Sequence, residues 1–211
     1  MTGLLQEHLS RQWESLQNLA HAHAGSPPLM EVSATDWLDP TTRVGPVRIE
    51  LALRTVAIVD MEVRGRSLKR DFGSDAEAFV RTLDPDPLDW EPVFAEPLED
   101  PAQPPLRLRL FLPTDPNRPT SPEVYFVDRV WHPNIRWDNG LVCYGDKQAW
   151  AQPDRSLADL VRRLFTMTAF ADRGAVHPDE AHALNKAALR WYRDTMHEMP
   201  ELFPLSRRIP T

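Results

Sequence analysis

Thiols are almost missing from this chain: its 211 residues include one cysteine, Cys143. That excludes an internal disulfide and any zinc site built on several cysteines. Lysine is nearly as scarce, with Lys69, Lys147 and Lys186 set against 21 arginines. Such a bias reflects either a GC-rich bacterial genome or selection against modifiable lysines. Long apolar runs are missing as well, and nothing approaches the roughly 18 uninterrupted apolar residues of a membrane span. The opening MTGLLQEHLS has neither the basic start nor the small-residue cleavage site of a secretory signal, so the expectation is a cytoplasmic protein with no membrane partner. Positive charge is in deficit, since 24 Lys and Arg face 31 Asp and Glu for a formal net charge of -7. Phosphate binding needs concentrated cations, and no nucleic-acid partner is expected. What is present is ordinary globular composition, 42% hydrophobic and 26% charged. It is enough to bury a core without staples, and the expectation is one domain over 1–211.

Periodicity orders the chain. Leu5, Leu9, Trp13, Leu16 and Leu19 fall at spacings of four, four, three and three, one buried stripe on an N-terminal helix. Pro27 and Pro28 break it. Alternation then marks half-buried strands at Val47 to Leu53, at Val59 to Val63, at Leu106 to Leu110 and around Val124 and Phe126. Ala76, Phe79, Val80 and Leu83 favour a short helix between them. Residues 83–105 carry seven prolines and seven carboxylates with no Lys or Arg. They read as a long surface loop, either a solvated insertion or a docking strip for a basic partner. Ser156 with Asp159 three residues on marks a helix start, followed by the stripe Leu157, Leu160, Val161, Leu164 and Phe165. Pro178 reads as the first residue of a further helix with Ala181, Leu184, Ala188 and Trp191 or Tyr192 inward. Helix, four strands, then helices predict an α+β fold with one four-stranded antiparallel sheet.

The densest pattern lies between Val124 and Phe170. His132-Pro133-Asn134-Ile135, Gly140, Cys143, Trp150 and Pro153 before a helix resemble the core of the ubiquitin-conjugating enzymes. Leu112-Pro113 with Pro116, Pro119 and Pro122 resembles that family's strand entry, and Leu184-Asn185-Lys186-Ala187-Ala188 with Tyr192 its helix after the active site. The likeness implies a fold of N-terminal helix, four-stranded antiparallel sheet, active-site loop and C-terminal helices. It also implies an enzyme that takes an activated ubiquitin-like protein from an activating enzyme as a thioester on Cys143 and transfers it to an amine of a target protein. No cofactor is implied, because ATP is used by the partner activating enzyme, and no metal.

The chemistry suits the residues. Thioester exchange needs a sulfur that both attacks and leaves well. Asn134 matches the family position whose neutral amide steadies charge on the carbonyl oxygen, or it caps its own turn. His132 and Pro133 shape that turn, with His132 as a free general base the alternative reading. The attacking amine must lose a proton, and His177-Pro178-Asp179 stands where the family places an acid before a proline. His177 or Asp179 could serve, His177 could instead cap the helix, and Asp172 is a further candidate. Departures are visible: Asn134 and Cys143 are nine positions apart, one more than the family norm, and Tyr144-Gly145-Asp146 replaces the usual pair after the cysteine. The tail after Trp191 lacks the family's final helix, and the first helix offers chiefly Arg11 for docking on an activating enzyme. The divergence and arginine bias resemble bacterial members from conjugation operons linked to antiphage defence. Two other functions remain open, a catalytically silent binding module of the same fold and a cysteine hydrolase using Cys143, His177 and an acid. His21 and His23, two apart on a helix, face different ways and make no metal site.

Overall fold

In the computed structural model the described residues are 2–83, 89–97, 100–114, 121–146, 150, 155–171, 176 and 179–203. Helix α1 (Thr2–Ala22) buries Leu9, Leu16 and Leu19 along the expected stripe. They rest on a four-stranded sheet of β1 (Met30–Asp39), β2 (Val44–Leu53), β6 (Leu106–Phe111) and β7 (Glu123–Phe126), in that spatial order and antiparallel throughout. Ile49, Leu51 and Leu53 of β2 and Leu106, Leu108 and Leu110 of β6 point into the core, while Arg48, Glu50, Arg107 and Arg109 lie on the other side, as period-two alternation requires. Helix α4 (Leu157–Thr168) joins the same core with Leu157, Leu160, Val161, Leu164 and Phe165. Its start is the expected capping box: Ser156 Oγ accepts from the Asp159 amide, and the Asp159 carboxylate accepts from the Ser156 amide.

The α+β architecture is therefore the expected one, but the sheet's membership is not. The alternating run at 59–63 lies in β3 (Ala57–Val63), which pairs with β4 (Arg66–Ser67) and β5 (Trp90–Ala95) in a separate three-stranded sheet. Its place in the main sheet is taken by β1. Two register shifts, between Ala34 and Asp36 and between Asp36 and Trp37, break the alternation of β1 and hide it from a period-two search. The unit between β2 and β6 also holds helices α2 (Leu68–Phe72) and α3 (Ala76–Leu83), the latter as the sequence favours.

Residues 83–105 are not simply a loop, because β5 runs through them. Pro92 is tolerated there since β5 pairs only with β3 among the described residues, leaving one side free of ladder bonds. The following turn is fastened as well. Arg54 donates to the carbonyls of Pro97 and Gln103, and the Gln103 side chain accepts from the Glu96 amide.

At the C-terminal end, helix α5 (Lys186–Glu198) begins eight residues later than a start at Pro178 would give. Asn185 caps it, accepting from the Ala188 amide at 2.9 Å. A 3-10 turn, Glu180–His182, precedes it. The reason is a competing contact: the Leu184 and Asn185 amides both donate to the carbonyl of Pro133, which holds this stretch out of a helical path. Ala188, Trp191 and Tyr192 face inward as expected, whereas Ala181 is exposed and Leu184 half-buried. Pro178 lies outside the described residues. Beyond Glu198 the described residues hold only the 3-10 turn Pro200–Leu202 and Phe203, packed on Trp191 and Tyr192. No helix among the described residues is long and apolar enough to cross a membrane.

One carboxylate organises the inserted unit. Asp60 on β3 accepts from the Met61 and Lys69 amides, each at 2.8 Å, and from the Ser67 hydroxyl. Asp60→Ala strands these donors and is expected to cost about 2–4 kcal/mol in urea unfolding. Asp60→Asn, which keeps one acceptor, should lose clearly less.

Candidate active site

Cys143 and Asn134 stand opposite each other at the base of a hairpin. The Cys143 amide donates to the Asn134 carbonyl at 2.8 Å, Ile135 bridges Val142, the Arg136 amide donates to Leu141, and the Gly140 amide closes the tip onto Arg136 at 2.8 Å. The nine-residue spacing thus leaves a four-residue tip, 137–140, and brings the two ends together. Gly140 is the residue this turn cannot do without. Its φ is +77°, and a Cβ there would sit 2.0 Å from the Phe126 carbonyl oxygen. That approach lets Gly140 accept from the Phe126 amide at 2.9 Å, and the Val142 amide donates to Val124. The hairpin is thereby laid against strand β7. Among the described residues Cys143 is a free thiol, half-buried.

The His132-Pro133-Asn134 turn behind the hairpin is almost fully enclosed. His132 is 0% exposed, its ring 4.4 Å from that of Phe170. Its Nδ1 accepts from the Asn134 amide at 3.0 Å, so the proton of the neutral ring sits on Nε2. Nε2 has no partner of good hydrogen-bond geometry. Burial drives the His132 pKa down from 6.5 to about 3, and the Met167 backbone on that side offsets only part of it. His132 is therefore a neutral, sequestered ring, which corrects its reading as a free general base. Pro133 is buried and anchors the 184–185 stretch through its carbonyl. Asn134 is 8% exposed, with its side-chain Nδ2 3.9 Å from the sulfur of Met167 on α4.

The segment after the cysteine is pinned by aromatics. Tyr144 is 3% exposed, and its hydroxyl donates to the Pro122 carbonyl. Burial, followed by its neighbours Cys143 and Glu123, raises its pKa, while Ser121 acts the other way. Trp150 meets the Tyr144 ring edge-on at 5.7 Å, and the Arg155 guanidinium lies 5.5 Å from the Trp150 ring. Gln12 of α1 then clamps the end of the segment, donating to the Arg155 carbonyl at 2.9 Å and accepting from the Leu157 amide at 2.7 Å.

The structure thus brings Cys143, Asn134, His132, Pro133 and Trp150 into one region. Asp179 is exposed and caps the 3-10 turn, accepting from the Ala181 amide at 2.9 Å. Its segment continues directly into the residues docked on Pro133. His177 and Asp172 lie outside the described residues. Sequence reasoning passed over Met167, which faces both His132 and Asn134, and Trp137, a large aromatic in the otherwise polar tip Asp138-Asn139-Gly140 whose presence there was a readable signal.

No protein-family model matches the sequence, and no curated protein matches it. Among solved structures, the chain is similar to the E2 domain of a Toxoplasma gondii ubiquitin conjugating enzyme. The two share 17% identity over 92% of this chain and 89% of that one, with a TM-score of 0.44.

Two outcomes follow from the geometry. Gly140→Ala must displace the Phe126 carbonyl, and its unfolding free energy is expected to fall by about 3 kcal/mol or more, read by denaturant titration. For His132 the folded pKa is lowered, so below pH 6.5 the unfolded chain takes up a proton that the folded chain refuses until about pH 3. Its contribution to stability is present above pH 6.5 and is lost at about 1.4 kcal/mol per pH unit as pH falls between those limits. His132→Asn, which keeps an acceptor for the Asn134 amide, should be less stable at pH 7 yet lose stability less steeply between pH 6 and 4.

Proposed function

We propose that this protein is a ubiquitin-conjugating-like enzyme that carries the activated C-terminal acyl group of a ubiquitin-like protein on Cys143 and hands it to an amine of a target protein. The observation that carries the reading is that the chain's one thiol, half-buried rather than enclosed, belongs to the residue whose backbone pairs with that of Asn134 across the hairpin base. The sequence pattern from His132 to Trp150 supports it independently. A buried structural thiol would need no solvent access, and a binding module would need neither residue.

In the first step the Cys143 thiolate attacks the thioester carbonyl carbon on the activating enzyme. The new carbon–sulfur bond forms, the old one breaks, and the activating enzyme's thiol leaves with a proton from solvent. In the second step a neutral amine attacks the Cys143 thioester. The amide of Asn134 is assigned to stabilise the oxygen that becomes negative. Cys143 departs as a thiolate, and the amine's proton passes to a base, a role assigned to Asp179 or His177. Burial of His132 supports assigning the proton to a different group. The rings of Tyr144 and Trp150 fix the chain on the exit side of the sulfur, which limits the geometries open to the thioester.

The partners in this reading are an activating enzyme that consumes ATP, a ubiquitin-like protein and a target. The 21 arginines against 3 lysines fit a GC-rich bacterial genome, and the resemblance to bacterial members of the family extends the reading to a conjugation operon with a role in antiphage defence. The test is a non-reducing gel of the protein with activating enzyme, ATP and the ubiquitin-like partner encoded beside it. A thiol-sensitive adduct is expected, absent in Cys143→Ala and thiol-resistant in Cys143→Ser. Asn134→Ala should load normally and discharge to an amine about 100-fold more slowly. No adduct on a folded wild-type protein would overturn the carrier in favour of a binding module, and rapid release of the acyl group to water without an amine would favour a hydrolase.

A further inference from the structure

Two side chains of the active-site region converge on one oxygen outside it. The Trp137 indole N–H donates to the Gly73 carbonyl at 2.7 Å, and Arg129 Nη1 donates to the same atom at 2.7 Å. Arg129 also reaches the Trp137 carbonyl at 3.3 Å, its guanidinium 5.3 Å from the indole ring. Both acceptor positions of the Gly73 oxygen are thus filled. Gly73 follows α2 with φ +54° and ψ -121°, a conformation that favours glycine. Nearby, the Trp131 amide donates to the Ile58 carbonyl on β3 at 2.7 Å, and the Trp131 ring lies between Trp90 and Trp137 at 5.8 and 5.2 Å. Gly73, Ile58 and Trp90 all belong to the unit inserted between β2 and β6. Trp131 and Trp137 flank the His132–Asn134 turn on either side.

A hairpin this short is marginal by itself. One of its strands, Leu141 and Val142, is tied to β7. The other, which bears Asn134, ends at Arg136, and Trp137, the first residue of the tip, ties it to the inserted unit through Gly73. We propose that Trp137 and Arg129 are positioning residues through which the three-stranded unit holds Asn134 in register with Cys143. The inference rests on the carrier reading for its purpose, and it adds a role for a segment that reading leaves idle.

Iodoacetamide uptake reads Cys143 alone, because no other thiol exists. Trp137→Phe keeps an aromatic ring and removes the indole donor. Under native conditions it is expected to change the Cys143 alkylation rate about fivefold or more and to slow amine discharge of the loaded protein about tenfold. Arg129→Met should act in the same direction, and Arg129→Lys, which restores a cationic donor, should recover part of the loss. Trp90→Phe belongs to the same aromatic trio but lacks the Gly73 bond; it should lower the melting temperature and leave both rates unchanged. Folded Trp137→Phe and Arg129→Met proteins that melt earlier yet alkylate and discharge like wild type would overturn the proposal. Should Trp137→Phe fail to fold, the two Arg129 variants decide. If the alkylation rates shift as expected but the wild type accepts no acyl group, the rear support stands and the carrier reading falls.

Discussion

The hydrogen bond from the Cys143 amide to the Asn134 carbonyl is the constraint on which the rest depends. It forms only if the hairpin between them closes in one register. That register depends on Gly140, whose missing side chain lets the tip settle onto the Phe126 carbonyl. Phe126 in turn sits where β7 has placed it in the main sheet. The backbones of Cys143 and Asn134 are thus paired by the geometry of the hairpin, without a charged pair between them.

Two hydrophobic cores meet at this point. One gathers α1, the four-stranded sheet and α4, and it includes Ile135, Val142 and Tyr144. The other gathers the inserted unit and α5, and it includes Trp131, Trp137 and Phe170. The stretch from 131 to 144 contributes to both, Trp131 and Trp137 to one and Ile135, Val142 and Tyr144 to the other, so the site lies along the seam. His132 shows what that enclosure does chemically: its ring serves as an acceptor for one amide and is held neutral far below the usual imidazole range. The neighbouring Pro133 carbonyl takes up the Leu184 and Asn185 amides directly ahead of the point where the C-terminal helix begins.

Much of this was legible in the residues. The leucine stripe of α1, the alternation of β2 and β6 and the Ser156–Asp159 capping box each express one local rule, and each appears where that rule places it. What escaped was non-local. Strand β1 carries two shifts that scramble its alternation, and β3 alternates well but pairs elsewhere, because alternation fixes a strand's faces and not its neighbours. Strand β5 was hidden by Pro92 and flanking acids, which an edge position accommodates. At the site, the spacing of Asn134 and Cys143 was visible, but the hairpin that makes nine residues the right number was not. Neither was the burial of His132, since a histidine beside a proline looks the same in sequence whether it faces water or Phe170.

The solitary sulfhydryl has a redox corollary. Oxidised to a sulfenic acid, Cys143 has no second thiol in its own chain to condense with. Recovery has to come from a free small-molecule thiol or another protein's cysteine; failing that, the sulfur advances to an irreversible acid. Storage under reductant thus keeps Cys143 as a thiol, and a preparation whose sulfur has been oxidised need not have lost its fold.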